Sequence, residues 1–554
     1  MAIGDSFDNL TSDSPREIVG SIKKTIHTQL EKTVGLYGVV VISLSAMLGS
    51  GLFVLPSLAG EMMGAGIWLA YIIAALVVLP GALSKSELAS AMPTSGGDYI
   101  YIERTYGPIF GTIAGLGLWA SFLLKAAFAL IGFAAYLEVL AYAMDVEVNM
   151  VVISFAVLSL IVVLNVMGVK KIKNIQTPIV ALTVSMLVAL CIAAFFTSEV
   201  DLAKPLRKSA FSGGMIGLAE TAAFVFVAYA GVTKVAAIAE EVKDPGKNLT
   251  GGMLISLATA TLLYSAVSFM LMATLPENWW LASNGEVIEN PIYIFAKHVG
   301  GSKVGLIAAL LAVLTMMSMA LAGVLAASRY VFAMARDNLL PQALEEVNTK
   351  YETPHWPIII TGLAMFAAIL TLNVHDVAKL ASGFQIMIFI VVNSCVVVLR
   401  SSKQSWYQPT YHSPLYPYVQ LAGIIGGVLL VIVMGEKAFI GAAVALVVGS
   451  IMYFGYGRKH VDHEQVSAFE GFREQMRNPD PWVHDLRMAA FQAADSGSDG
   501  HLTLKEFQHV MHVLDFKFND VQLRDIFHRA DSDGDGVLDI EEFLDTFKKS
   551  DEES

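Results

Sequence analysis

Charge is what this chain has least of. Only 15% of its 554 residues are Asp, Glu, Lys or Arg, against 55% hydrophobic, whereas a soluble domain is roughly one-quarter charged. So little charge cannot clothe a water-soluble surface of this size, and a multi-span membrane protein follows. The charge that does occur is uneven. From Gly457 onward, 22 acidic and 11 basic residues leave −11, so the preceding residues hold only −2 of the net −13. No basic face of the kind that binds nucleic acid is present. Cysteine is scarcer still: Cys191 and Cys395 both lie in apolar runs, which excludes a disulfide framework and makes them small core hydrophobes. A P-loop, a G-x-G-x-x-G after a strand and an H-E-x-x-H pair are all missing, so no enzyme class is indicated. The polar first thirty-odd residues, with Lys23, Lys24 and Lys32, carry no cleavable signal pattern. The first apolar run is the expected targeting element, and residues 1–33 are expected to stay cytosolic.

Apolar runs of roughly 17 to 25 residues are long enough to cross a bilayer. They occur near 35–58, 66–91, 108–142, 149–169, 177–197, 213–239, 251–275, 303–335, 357–373, 377–399, 419–435 and 438–456. Twelve spans return both termini to one side. Loops after the even-numbered spans hold ten Lys and Arg residues, among them Arg104, Lys170, Lys243, Arg336 and Arg400, against six in the opposite loops. The positive-inside rule then places both termini in the cytosol, with the plasma membrane the expected location. Trp279 and Trp280 fall in the largest outside loop, where interfacial anchoring accounts for them.

Two of these spans are interrupted. The first carries Gly49-Ser50-Gly51, with Pro56 five residues on. Close helix packing through small residues is one explanation, but that use favours residues four apart, and these are two apart. A break at membrane depth is the other, and it survives only where the freed backbone is buried in protein or lines a wet cavity. Span six carries the second interruption, in Phe226-Val227-Ala228-Tyr229-Ala230-Gly231, with Lys234 just beyond. Broken helices at corresponding places in two halves of a ten-helix core point to a midplane binding site. Amides freed around Gly49, Ser50 and Gly51 suit a carboxylate, and carbonyls from Val227 to Ala230 suit an amine. Tyr229 reads either as a substrate contact or as a packed aromatic with its hydroxyl satisfied. Lys125, deep in span three, costs roughly 2.5 to 3.5 kcal/mol to insert. It therefore either contributes to coupling or selection, or is a fixed charge on helix-end carbonyls. Lys234 is the second such candidate.

Four ordered segments carry a resemblance. They are Gly49-Ser-Gly-Leu-Phe53, Glu87 through Tyr101, Phe226 through Gly231 with Glu240-Glu241-Val-Lys-Asp-Pro245, and Arg329 with Met334 through Pro341. Together they resemble the amino acid/polyamine/organocation (APC) superfamily of permeases. The resemblance implies an all-α membrane fold with two inverted five-helix repeats, plus two peripheral helices, working by alternating access. It also implies substrate carboxylate and amine groups bound at the breaks of spans one and six, and a gating role for the Glu87–Tyr101 motif at the cytosolic end of span two. Two departures bear on coupling, whose ion, H+ or Na+, is left open. Thr183 stands where proton-coupled relatives often carry a lysine in span five, and Thr233 stands where many carry an acid after the span-six glycine.

After Gly457 the composition becomes that of a soluble segment, with a linker expected over 457–480 and a domain over 481–554. Two loops 36 residues apart resemble EF-hands. Asp531, Asp533, Asp535, Asp539 and Glu542 fall at loop positions 1, 3, 5, 9 and 12, with Gly536 at the turn and the Val537 carbonyl at position 7. The earlier loop keeps Asp495, Asp499 and Glu506, with His501 at position 7, but has Gly497 and Thr503 at positions 3 and 9. Weaker Ca2+ binding is expected there. Leu502 and Leu538 are expected to pair the two loops, and Asn519 with Gln522 to cap the helix entering the second. His509 and His512, one turn apart, are a weak zinc signal or plain helix surface. Calcium regulation of transport and passive calcium binding both fit. The leading expectation is a secondary-active transporter of amino acids or related amines, and the rival is a receptor-like calcium or amino-acid sensor that kept the permease body.

Overall fold

The computed structural model describes residues 34–92, 97–168, 172–197, 200–232, 234–236, 242–348, 351, 353–402, 407–460, 468–469, 501–513, 520–531, 536–539 and 542–543. Thr233, Glu240, Glu241, Asp495, Asp499, Asn519, Asp533 and Asp535 lie outside that set, as do the side chains of His509 and His512. The described residues fall into two compact units, one within 1–104, 108–396 and 409–462, the other within 105–107, 397–408 and 463–554. Regular structure in both is helical, supplemented by isolated bridges.

Eight helical stretches of the described residues are long and apolar enough to cross a membrane: Leu55–Ala91, Pro108–Ala143, Gln176–Phe195, Gly214–Ala236, Pro245–Thr274, Pro291–Arg336, Val374–Ser401 and Glu436–His460. Shorter apolar helices cover Leu36–Met47, Met150–Val166, His355–Thr371 and Tyr418–Met434. The helices that build the site are α1 (Leu36–Met47), α2 (Ser50–Phe53), α3 (Leu55–Met63), α4 (Ile67–Ala91), α5 (Pro108–Ala143), α6 (Gly214–Val225), α7 (Pro245–Thr274), α8 (Pro291–Arg336) and α9 (Val374–Ser401). Proline starts α5, α7 and α8, where its missing N–H is one of the groups a helix leaves unpaired anyway. Small residues set the packing between α5 and α8. Gly323 faces Ala126 so closely that an added Cβ would come within 2.7 Å of the alanine methyl, the close approach that drives association where water supplies no hydrophobic force.

The first span is not one rod. α1 stops at Met47, Leu48 turns to extended backbone, and the chain resumes as the single turn α2 and then α3, which carries Pro56 as its second residue. The second interruption is a tightening rather than an opening. α6 ends at Val225, and Phe226–Gly231 continues as a 3-10 helix, whose i to i+3 bonds keep carbonyls engaged that an unwound chain would free. The two interruptions cross. A Cβ on Gly51 would lie 2.8 Å from the Ala228 methyl, and one on Gly231 would collide with the Ala46 carbonyl. Elsewhere, Trp279 is 8% exposed, with its indole N–H on the Met272 sulfur at 3.4 Å, so this ring is core and not the interfacial anchor expected of it.

The other unit contains α10 (Leu504–Val513) and α11 (Asp520–Ala530). Phe507, Phe527 and Phe543 meet edge to face at its centre with Leu502, Met511, Leu523 and Leu538. Leu502 and Leu538 exchange both backbone hydrogen bonds, at 2.8 and 2.9 Å, giving the two-stranded contact that their place in the loops calls for.

Because the Gly231 site has no room for a methyl, Gly231→Ala is expected to destabilise the protein by about 2 kcal/mol or more. Thermal unfolding of the purified chain measures this against Gly455→Ala, whose added Cβ meets nothing within 4 Å. Equal midpoints for the two variants would mean that the crossing is not tight.

Candidate functional site

Breaking a helix inside a membrane frees carbonyls that lipid cannot satisfy, and here side chains from three other helices take them up. Lys125 Nζ of α5 donates to the Ala46 carbonyl at 3.0 Å. Tyr264 of α7 donates to Met47 O at 2.7 Å, Tyr71 of α4 to Gly51 O at 2.9 Å, and Tyr136 of α5 to Phe53 O at 2.7 Å. Tyr136 also accepts the Ile292 N–H at 3.1 Å, tying the end of α2 to the start of α8. Tyr71, Tyr229 and Tyr264 cluster, with ring centroids 5.4 and 5.3 Å apart about Tyr264. The amides fare differently. Leu52 and Phe53 donate to Gly49 O, but among the described residues the N–H groups of Gly49, Ser50 and Gly51 donate to no backbone or side-chain acceptor. Met319 of α8 lies in front of them, its sulfur against Gly49 and 3.9 Å from Ser50 Oγ.

At the second interruption the Tyr229 carbonyl accepts the Val232 N–H at 3.0 Å, and the Tyr229 hydroxyl donates to Tyr71 O at 3.0 Å. The Tyr229 hydroxyl therefore has a partner within the protein. Ser382 of α9 accepts the Val227 N–H at 3.1 Å and donates to Phe224 O at 2.7 Å, bridging the point where α6 gives way to the 3-10 segment. Phe226, Val227, Ala228, Ala230 and Gly231 are all buried there, and Phe226 stands edge to face with Phe389. Lys234 Nζ donates to Ala322 O at 3.0 Å and shares a small cleft with Lys125. Thr183 is elsewhere, hydrogen-bonded to Thr315 at 2.9 Å.

Sequence reasoning missed Tyr71, Tyr136, Tyr264, Ser382 and Met319. Each is a polar or soft side chain in an apolar run, a signal that exists in the sequence but does not say which carbonyl or amide it will meet.

In the EF-hand unit, Gly536 has φ +87°, and its N–H reaches Asp531 Oδ2 at 3.1 Å, the turn that folds a loop of this kind around a cation. Glu542 accepts the Asp539 N–H at 3.2 Å, and Glu506 accepts the Thr503 N–H at 2.9 Å, so both position-12 carboxylates also cap the helices they open. Among the described residues no three Asp, Glu, His or Cys side chains are gathered as a metal site.

Residues 34–455 match the family model described as amino acid permease, and 484–548 match that of an EF-hand domain pair. The chain belongs to the amino acid permease family. It is an integral, multi-pass membrane transporter and not an enzyme, and it carries an EF-hand pair. This permease is 27% identical over 450 residues to the branched-chain amino acid permease BcaP of Bacillus subtilis (strain 168), a match covering 78% of this chain and 94% of that one. It is 26% identical over 472 residues to the methylthioribose transporter of the same organism, covering 82% and 99%. Its fold is similar to that of MhsT, solved in complex with L-phenylalanine, with a TM-score of 0.53 at 15% identity over 74% of this chain and 99% of that one.

The tyrosine bonds carry an expected cost. Tyr264→Phe leaves the Met47 carbonyl unpaired and is expected to cost about 1–3 kcal/mol, read as a lowered unfolding midpoint of the permease in detergent. An unchanged midpoint would show that water reaches that carbonyl. A separate cavity holds Glu138 and Glu289 among Phe155, Leu158 and Phe366. Burial, and then the neighbouring Glu138 carboxylate, push Glu289 up from 4.5 to about 7. A carboxyl whose folded pKa exceeds its unfolded one holds its proton more tightly when folded, so its effect on stability is complete below the unfolded pKa. Stability should fall as pH rises from 4.5 to 7 and level off above. Glu289→Gln should flatten that slope in a pH series of unfolding midpoints; a slope equal to the parent's would locate the titration elsewhere.

Proposed function

We propose that this permease moves amino acids or related amines by secondary-active alternating access. Its twelve spans would form a five-plus-five inverted repeat opened by the two interrupted helices, with two peripheral helices following. The observation that carries the site is the row of uncommitted amides at Gly49, Ser50 and Gly51 directly across from Ala228. A carboxylate placed there meets donors already freed from the helix, as at any helix start, while the carbonyls from Val227 to Ala230 would receive the amine through the lone pairs that their 3-10 bonds leave over. Phe226, Tyr229 and Gly231 complete the second wall. Met319 must then swing aside to admit substrate, which a flexible thioether does at little cost. The printed names of the relatives, an amino acid permease among them, support the substrate class.

Lys125, Lys234 and Thr183 are the residues through which H+ or Na+ coupling would act. The membrane would be the plasma membrane, with both termini cytosolic, residues 1–33 leading and a 457–480 linker joining the 34–456 transporter to the 481–554 EF-hand pair. Ca2+ would bind the second loop more tightly than the first, since Asp531, Asp533, Asp535, Asp539 and Glu542 supply five carboxylates against the three of Asp495, Asp499 and Glu506. Bound calcium would draw Glu506 and Glu542 away from the helix caps they now make.

Proteoliposomes holding the full chain test both parts. Labelled amino acids should accumulate above the outside concentration, and cytosolic-side calcium should shift the uptake rate in the parent but not in an Asp531→Ala/Glu542→Gln variant. Binding without accumulation would favour a sensor over a transporter. Identical calcium curves for parent and variant would remove the regulatory part alone.

A further inference from the structure

Lys125 of α5 and Lys234, three residues after Gly231, line one cleft together with Ala46, Phe122, Met319 and Gly323. Each ammonium makes one hydrogen bond, to Ala46 O and to Ala322 O, although an ammonium has three donors. Lys125 is only 5% exposed. No carboxylate pairs with either lysine or with Arg329 among the described residues. Arg329 lies two turns beyond Ala322 on α8 and is exposed. Among the described residues, two lysines therefore share this cleft at the crossing of the two interruptions with no carboxylate paired to either. Buried charge of one sign, left unpaired, is among the costliest arrangements a membrane protein can hold. Water satisfies donors but not charge.

We infer that the Lys125–Lys234 cleft binds a small anionic group. Met319 connects it to the substrate site, because the same side chain that lines this cleft also covers Gly49 and Ser50. With Met319 displaced, a solute bearing two carboxylates reaches both places: its α-carboxylate on the Gly49–Gly51 amides and its second carboxylate between the lysines. The substrate class is then the acidic amino acids. A halide accompanying a neutral amino acid offers the cleft the same chemistry. This inference rests on the reading of the breaks as an amino-acid site, and it adds the charge of the side chain or co-substrate.

Purified full-length protein in lipid nanodiscs separates the possibilities, using L-glutamate, L-leucine and chloride as probes in gluconate buffer and unfolding midpoint plus calorimetric titration as readouts. The inference expects either glutamate to bind at least tenfold more tightly than leucine, or chloride to tighten leucine binding at least tenfold. That difference should fall below threefold in Lys125→Met and in Lys234→Met. Lys125→Arg, which keeps the charge, should retain it and so guards against a variant that merely misfolds. Leucine binding alone, indifferent to chloride and to both substitutions, overturns the anion cleft and leaves the amino-acid site standing. Chloride binding that both lysine variants lose, with neither amino acid bound, supports the cleft and removes the amino-acid reading. No response to any probe overturns both.

Discussion

A main chain that leaves its helix inside a bilayer must find partners for every group it exposes, and that requirement shapes the centre of this protein. α1 ends at Met47 with carbonyls pointing into a region where lipid offers none. Lys125, Tyr264, Tyr71 and Tyr136 supply the donors, each from a helix some distance away in sequence. The break is thus a property of four helices together. Without α4, α5 and α7 in register it would be an unsatisfied end.

The same accounting explains the asymmetry of the site. Carbonyls of the first interruption are occupied, whereas its amides at Gly49, Ser50 and Gly51 meet no acceptor among the described residues. Those amides sit against a soft side chain, Met319, where a tightly packed leucine or a hydroxyl bonded to them would have closed the place permanently. Across from them the 3-10 segment holds its shape through Ser382, which serves one amide and one carbonyl at once. A region with uncommitted donors on one side and a tightened turn on the other is suited to hold a small polar solute by main-chain atoms, the function proposed for it. Packing at small residues such as Gly323 and Gly231 keeps the surrounding helices close enough for these reaches to be made.

In the EF-hand unit the limiting interaction is different. An aromatic cluster of Phe507, Phe527 and Phe543 supplies the cohesion there. The carboxylates of Glu506 and Glu542 hold helix ends. Those two positions are also the ones an EF-hand uses to enclose its cation, which gives the proposed calcium response a local physical basis: a cap exchanged for a ligand.

Composition and run length by themselves determined that the chain lies in a membrane and that a separate acidic module follows it, because both depend on local hydropathy and loop spacing. The glycines at 49 and 51 and at 231 marked where two helices are interrupted, and the spacing of Asp531, Gly536 and Glu542 marked a calcium loop, since these are short-range backbone demands readable within a few residues. Tertiary structure alone decided that the second interruption is a 3-10 tightening, that the Tyr229 hydroxyl meets the Tyr71 carbonyl, that Trp279 is core, and that Lys125 and Lys234 share one cleft. Partners 79 and 217 residues apart, Lys125 with Ala46 and Tyr264 with Met47, leave no trace in local pattern. Which donor meets which freed carbonyl depends on how long helices cross, and crossing is set by packing that no single stretch of sequence contains.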